Sequence, residues 1–65
     1  MKTRYLFIHF RKPISSWLWH CYSNQNDVEL GYVSSKRRFV PSPATEFSAD
    51  CLTDIAHFMG QLPKP

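Results

Sequence analysis

Apolar and polar residues alternate along three short stretches of the chain, and this period of two is typical of β-strands. The stretches are residues 4–11, 17–23 and 28–34. The first stops at Lys12-Pro13, because proline fixes the backbone and removes a hydrogen-bond donor. The second and third are separated by a run of Ser, Asn, Gln and Asp residues whose length suits a hairpin loop. The sequence therefore predicts three consecutive antiparallel strands, a β-meander.

The first predicted strand has two different faces. One face carries only large apolar side chains and is the predicted core face: Leu6, Ile8 and Phe10. The other face carries rings and a cation: Tyr5, Phe7, His9 and Arg11. The second strand has aromatic side chains on both faces, so we expect one of its faces to be exposed or covered only by a loop.

The segment after the third strand is predicted to be irregular over residues 35–47. It contains a run of basic residues and two prolines, which exclude a central strand or a helix. Within it, Phe39-Val40 either extends the third strand or begins a short fourth strand, and the sequence leaves this choice open. Gly31, inside the third strand, marks either a β-bulge or the close approach of a neighbour.

Residues 48–62 have the spacing of an amphipathic helix. Ser48 is the predicted N-cap, and Leu62-Pro63 ends the segment. The apolar stripe that would cover the core face comprises Leu52, Ile55, Ala56 and Met59, widened by Cys51, Phe58 and Leu62. The predicted fold class is thus α+β: a three- or four-stranded antiparallel β-meander packed against one C-terminal α-helix, in a single domain over residues 1–65.

Composition limits what a chain of this size can do. A domain of 65 residues hides only about 60% of the surface that its unfolded form exposes, which leaves little room for a buried catalytic cleft. Three Tyr, five Phe and two Trp supply enough apolar area for folding without a disulfide or a metal. The net charge of +3 permits an anionic partner without requiring one.

The two cysteines and the N-terminus indicate a compartment. Residues 1–13 lack the apolar run and cleavage site of a signal peptide, and no stretch approaches the roughly 18 apolar residues of a membrane span. We therefore expect a cytoplasmic protein in which Cys21 and Cys51 are free thiols. In an exported protein the same two residues would instead form one disulfide.

No catalytic residue, cofactor or metal ligand is predicted. The serines lie in turns or at a helix cap without a nucleophile elbow, and the carboxylates form no pair that strand or helix geometry would bring into a cleft. His20 and Cys21 are adjacent on a strand and point to opposite faces, and there is no Cys-x-x-Cys pair. Zinc, which needs four convergent ligands, is therefore not expected.

Five basic residues are predicted to meet at one end of the meander: Arg11, Lys12, Lys36, Arg37 and Arg38. The ends of the first and third strands lie at the same edge of an antiparallel sheet, and Trp17 begins the second strand nearby. Asp27 and Glu29 would lie at the opposite end. The same residues have a simpler explanation, because strand ends are wet and Lys and Arg collect there for solubility.

The predicted function is that of a small non-catalytic binding module, an inhibitor or adaptor of a larger macromolecule. Its partner would be a protein with an acidic surface, bound by the basic end together with an aromatic sheet face of Tyr5, Phe7 and Trp19. The alternative is a sheet-based nucleic-acid binder that uses the same cations on phosphates and an exposed ring on a base. A homodimer through the aromatic sheet face is the third possibility, and no membrane partner is predicted.

Overall fold

The computed structural model describes residues 1–63 and shows an α+β fold, a four-stranded antiparallel sheet with one C-terminal helix. The strands are β1 (Ile8–Arg11), β2 (Trp19–Ser23), β3 (Glu29–Val33) and β4 (Phe39–Pro41), and helix α1 spans Ala49–Gly60. The strands lie in the order β1-β2-β3-β4. The predicted meander is confirmed, and the open choice is settled because Phe39-Val40 forms a fourth strand.

The hydrophobic core lies between α1 and one face of the sheet. Phe58 of the helix is fully buried, and its ring stacks on Phe10 with the ring centroids 3.8 Å apart. The ring of Trp19 meets Phe58 edge-on at 5.3 Å. Cys21 and Ile55 are buried beside these rings. Aromatic stacking therefore joins the helix to the first two strands.

The first predicted strand is only half formed, because residues 3–5 fold back antiparallel along the edge of β1. The backbone N–H of Phe10 donates to the carbonyl oxygen of Thr3 at 2.8 Å, which covers this edge. The reversal inverts the predicted alternation: Tyr5 is 8% exposed within the core, whereas Leu6 is 78% exposed. The assignment of Leu6 to the core face and of Tyr5 to the outer face is wrong.

A residue far along the chain holds this reversal. The side-chain amide of Asn24 donates to the carbonyl oxygens of Tyr5 and Leu6, at 2.7 and 3.1 Å, and its backbone N–H donates to the carbonyl of Phe7 at 2.9 Å. The hydroxyl of Tyr5 hydrogen-bonds to Nδ1 of His57 at 2.8 Å, which fixes the ring against α1. Together these tertiary contacts outweigh the local preference of an aromatic-rich segment for an extended strand.

Helix α1 begins as predicted, but it presents a different face to the core. The Ser48 side chain accepts a backbone N–H of the first turn, as an N-cap does. The buried helical side chains are Ile55 and Phe58, while Leu52 is 52% exposed and Ala56 is exposed. The assignment of Leu52 and Ala56 to the core is wrong, because turning the helix towards Phe58 buries the largest apolar side chain that it carries.

Gly31 lies beside a β-bulge and is also closely approached by a neighbouring side chain, the two alternatives that its position in the third strand suggested. The register between β2 and β3 shifts beside it, so that Cys21 pairs with Gly31 while the next residue, Tyr22, pairs with Glu29. The ring of Phe39 lies directly against the Gly31 backbone, where a Cβ would be 2.6 Å from the ring. Because of the shift, Glu29 shares the outer face with Tyr22, whereas strict alternation would place it on the core side with Gly31.

Cys21 and Cys51 are free thiols, and their surroundings differ. Cys21 is fully buried on the core face of β2, and Cys51 is partly buried on α1. Burial, and to a smaller degree the nearby Cys51, raises the pKa of the Cys21 thiol from its ordinary value of 9.0 to about 12. Cys21 is therefore a protonated, unreactive core side chain at neutral pH.

The raised pKa of Cys21 predicts a loss of stability in alkali. Above pH 9 the unfolded chain loses the Cys21 proton while the folded chain keeps it, so the free energy of unfolding falls as the pH rises from about 9 to 12. The slope from this thiol is at most about 1.4 kcal/mol per pH unit. Urea unfolding at pH 8, 9 and 10 measures it, and the Cys21→Ala variant should show a shallower slope. Equal slopes in the two proteins would contradict the assignment.

Candidate functional site

Two connections leave the sheet at the same end. Trp19 at the start of β2 lies opposite Val33 at the end of β3, which in turn lies opposite Phe39 at the start of β4. Since the end of β1 pairs with the start of β2, the β1–β2 loop (residues 12–18) and the β3–β4 turn (residues 34–38) emerge side by side. This is the placement that the predicted meander requires.

The exposed side chains at this end combine two large apolar groups with three cations. The side chain of Trp17 is 91% exposed and that of Ile14 is fully exposed. The cations are exposed as well, and among residues 1–63 none of them enters an ion pair. We call this set the loop end: Lys12, Ile14, Trp17, Lys36 and Arg38. Sequence reasoning missed Ile14 because it lies inside a turn and has no alternating neighbours.

Arg11 and Arg37, which were predicted to join the basic cluster, have partners within the chain. The guanidinium of Arg11 donates to both carboxylate oxygens of Asp27, at 3.2 and 3.1 Å, and lies 4.1 Å from the centroid of the Tyr22 ring. The guanidinium of Arg37 donates to the carbonyl oxygen of Met59 at 2.9 Å, near the helix C-terminus where the dipole favours a cation. The freely presented charge is therefore smaller than the sequence suggested.

Glu29 begins β3 at the end of the sheet opposite the loop end, and Asp27 lies in the turn before it, as predicted, but their side chains do not form a separate acidic pole. The β2–β3 turn folds back over the outer face, helped by the positive φ of 59° at Asp27. One carboxylate oxygen of Asp27 lies 3.2 Å from Nε2 of His9. Glu29 accepts a hydrogen bond from Nδ1 of His20 at 2.5 Å. The two acids thus pair with histidines on the outer face instead of forming an acidic patch at one end of the sheet.

The predicted aromatic sheet face of Tyr5, Phe7 and Trp19 is not formed. Tyr5 is buried, and Trp19 packs against α1 on the core side. Phe7 alone of the three is half exposed. The outer face instead carries Tyr22 and Tyr32 beside the paired histidines. The surface on which the homodimer prediction rested is therefore absent from residues 1–63.

A chain of hydrogen bonds joins the β1–β2 loop to the outer face. The hydroxyl of Ser16 lies 2.9 Å from Nε2 of His20, and Nδ1 of the same ring lies 2.5 Å from a carboxylate oxygen of Glu29. The hydroxyl oxygen of Ser16 also accepts the backbone N–H of Leu18 at 3.1 Å. Serine, histidine and carboxylate are thus connected in the order found in nucleophile–base–acid arrangements. Only the register shift in β3 brings Glu29 to this ring, so the sequence alone gave no signal of it.

An open groove of about 660 Å³ lies at the end of the sheet opposite the loop end. Its apolar wall includes Leu6, Phe7, Leu30 and Cys51, and Glu46 is the charged side chain in its lining. Its volume is in the range of small-molecule sites.

Two other features were sought within residues 1–63, a cluster of metal ligands and a membrane-spanning helix. No three His, Cys, Asp or Glu side chains converge there to hold a metal ion. In the same part of the chain, no helix has the length and apolar character needed to cross a bilayer. Comparison with known proteins finds no match to a protein-family model, to a curated protein or to a solved structure.

Proposed function

We propose that this chain is a small non-catalytic binding module that modulates a larger protein, as an inhibitor or adaptor, through its loop end. The observation that carries the proposal is the 91% exposure of the Trp17 side chain. A tryptophan loses much of the favourable free energy of burial when it stays in water, and it is among the commonest hot-spot residues of protein interfaces. Ile14, also fully exposed, extends the apolar surface beside it.

The charges at the loop end favour a partner with an acidic rim. Lys12, Lys36 and Arg38 are exposed and make no ion pair within residues 1–63, so they remain available to a carboxylate. Cations around an apolar centre steer the encounter and set its orientation, while the centre supplies affinity. The partner chemistry proposed is therefore an apolar pocket bordered by Asp and Glu.

Nucleic acid is the competing partner class. Its binding would place the three cations on phosphates and stack Trp17 on a base. Two features favour protein. The ion pair of Arg11 with Asp27 removes one cation from the cluster, and the aliphatic side chain of Ile14 offers nothing to a phosphate backbone.

Affinity capture from nuclease-treated lysate, followed by titration of the captured partner, tests the proposal. Trp17→Ala should raise the Kd at least about 30-fold, because truncating a hot-spot tryptophan costs about 2 kcal/mol or more of binding free energy. Leu52→Ala is the matched control, since this side chain is 52% exposed on the far element α1, and its Kd should equal that of the unchanged protein.

Salt and nuclease separate the two partner classes. A protein partner survives nuclease treatment, and its Kd changes little between low and moderate salt. A nucleic acid is lost on nuclease treatment, and its binding weakens steeply with salt. If Trp17→Ala and the combined Lys12→Glu, Lys36→Glu and Arg38→Glu changes all leave capture intact, the loop end is not the interface.

A further inference from the structure

We propose that Ser16 is an activated nucleophile that accepts one acyl group from an activated ester, with His20 as its base and Glu29 positioning the base. The inference adds a covalent reactivity to the binding role and does not depend on it. It rests on the two consecutive hydrogen bonds, Ser16 Oγ to His20 Nε2 at 2.9 Å and His20 Nδ1 to Glu29 at 2.5 Å.

The two contacts of the imidazole ring determine its tautomer. The Glu29 carboxylate can only accept a hydrogen bond, so Nδ1 of His20 carries the proton. Nε2 then has its lone pair directed at the Ser16 hydroxyl, which donates to it. The imidazole ring lies between its neighbours on the sheet, with the ring centroids of Tyr22 and Tyr32 6.4 and 5.9 Å from its own. A general base aimed at a hydroxyl is what an activated serine requires.

The loop supplies a further contribution at the hydroxyl oxygen. The backbone N–H of Leu18 donates to Ser16 Oγ at 3.1 Å, and this dipole stabilises the negative charge that develops as the proton leaves. Ser16 is partly exposed, so a small ester can reach the oxygen. Ile14 and Trp17, exposed on either side of it in the chain, give an acyl or aryl group an apolar surface to contact.

The reaction is a single acyl transfer. The Oγ atom of Ser16 attacks the carbonyl carbon while its proton moves to Nε2 of His20. The tetrahedral intermediate collapses, the bond from the carbonyl carbon to the leaving oxygen breaks, and the departing alcohol or phenol takes the proton from His20. The products are acyl-Ser16 and the free alcohol or phenol, with no oxidation or reduction. Esters with good leaving groups, such as aryl esters, are the class of donor that suits an exposed site.

Acetylation by 4-nitrophenyl acetate tests the inference. Release of nitrophenolate measures the total rate of acetylation, and peptide mass mapping over time identifies the acetylated residues and their individual rates. Ser15 is the internal reference, because it is exposed, adjacent in the chain, and makes no side-chain hydrogen bond to a histidine among residues 1–63. We expect Ser16 to be acetylated about 100-fold faster than Ser15, the usual contribution of a positioned base. Acetyl groups on lysines are distinguished by the mapping.

Substitutions at His20 and Glu29 test the role proposed for each residue. His20→Gln should reduce acetylation of Ser16 to the rate of Ser15, and Ser15→Ala should leave the rate at Ser16 unchanged. Glu29→Gln should slow it and remove the deshielded Nδ1 proton signal of His20 from the NMR spectrum, and Glu29→Asp, which keeps a carboxylate, should restore part of both. Native tryptophan fluorescence verifies that each variant is folded. Equal rates at Ser15 and Ser16, or a rate at Ser16 unchanged in folded His20→Gln, would overturn the inference.

Discussion

Replacement of Phe58 by alanine is expected to leave the chain largely unfolded at neutral pH. The Phe58 side chain is 0% exposed, stacks parallel on Phe10 at a centroid distance of 3.8 Å and meets the ring of Trp19 at 5.3 Å. Removing such a ring costs about 3–5 kcal/mol. A chain of this length has a total stability of about 3–10 kcal/mol at typical values per residue, so the loss takes much or all of it. Urea unfolding followed by tryptophan fluorescence and far-UV circular dichroism measures the difference.

Leu52→Ala on the same helix is the control for this prediction. Its side chain is 52% exposed, so truncation should cost no more than about 0.5 kcal/mol. The pair of variants also tests the rotation of α1, because the sequence pattern placed Leu52 on the buried stripe and the structure does not. A larger loss of stability for Leu52→Ala than for Phe58→Ala would show that the helix presents its other face to the sheet.

The order and type of the elements could be predicted from the sequence because their signals are local. A period of two, a short polar run between two strands and a Ser48 cap each act within a few residues. The structure accordingly has the predicted meander and a helix at Ala49–Gly60. Local signals do not fix which face of an element is buried, since that depends on the contacts that other elements offer.

Tyr5 and Leu6 show how a distant contact overrides alternation. The Asn24 amide, 19 positions further along the chain than Tyr5, donates to the carbonyl oxygens of both residues. No property of residues 4–7 predicts this interaction, which exists only once β1 and β2 have paired. The burial of Tyr5 and the exposure of Leu6 accompany this reversal of the chain.

The loop end could be predicted in part, because part of it follows from local signals and part from contacts between distant residues. The strand order places the 12–18 loop and the 34–38 turn at one end, and this follows from the meander alone. The pairing of Arg11 with Asp27 was not predictable, because it depends on the β2–β3 turn folding over the sheet. The hydrogen bond from Arg37 to the Met59 carbonyl likewise depends on where the end of α1 lies relative to the β3–β4 turn.

The outer face depends on a single backbone irregularity. Strict alternation from Val33 would place Glu29 on the core side, where its carboxylate would have no partner. The register shift between β2 and β3 turns it outward, within hydrogen-bonding distance of His20. Gly31 therefore determines both the packing beneath the sheet and the polar network above it.

Gly31→Ala is accordingly the second substitution for which we expect a large loss of stability. Its φ of 157° is rarely adopted by residues with a side chain, which costs about 1–3 kcal/mol. An added Cβ would lie 2.6 Å from the ring of Phe39 and 2.6 Å from the carbonyl oxygen of Val40. The ring can shift, but the carbonyl belongs to the neighbouring strand, so β4 must move away from β3, at a further cost of about 1–3 kcal/mol.

Gly60→Ala is the matched control for Gly31→Ala, because a Cβ at Gly60 meets no heavy atom within 4 Å and the residue lies at the end of α1. It should be neutral or raise the free energy of unfolding by up to about 1 kcal/mol, since alanine restricts the unfolded chain and favours helix. Urea unfolding of both variants measures the contrast. If the two glycine variants have equal stability, the close approach of Phe39 and Val40 to Gly31 is wrong.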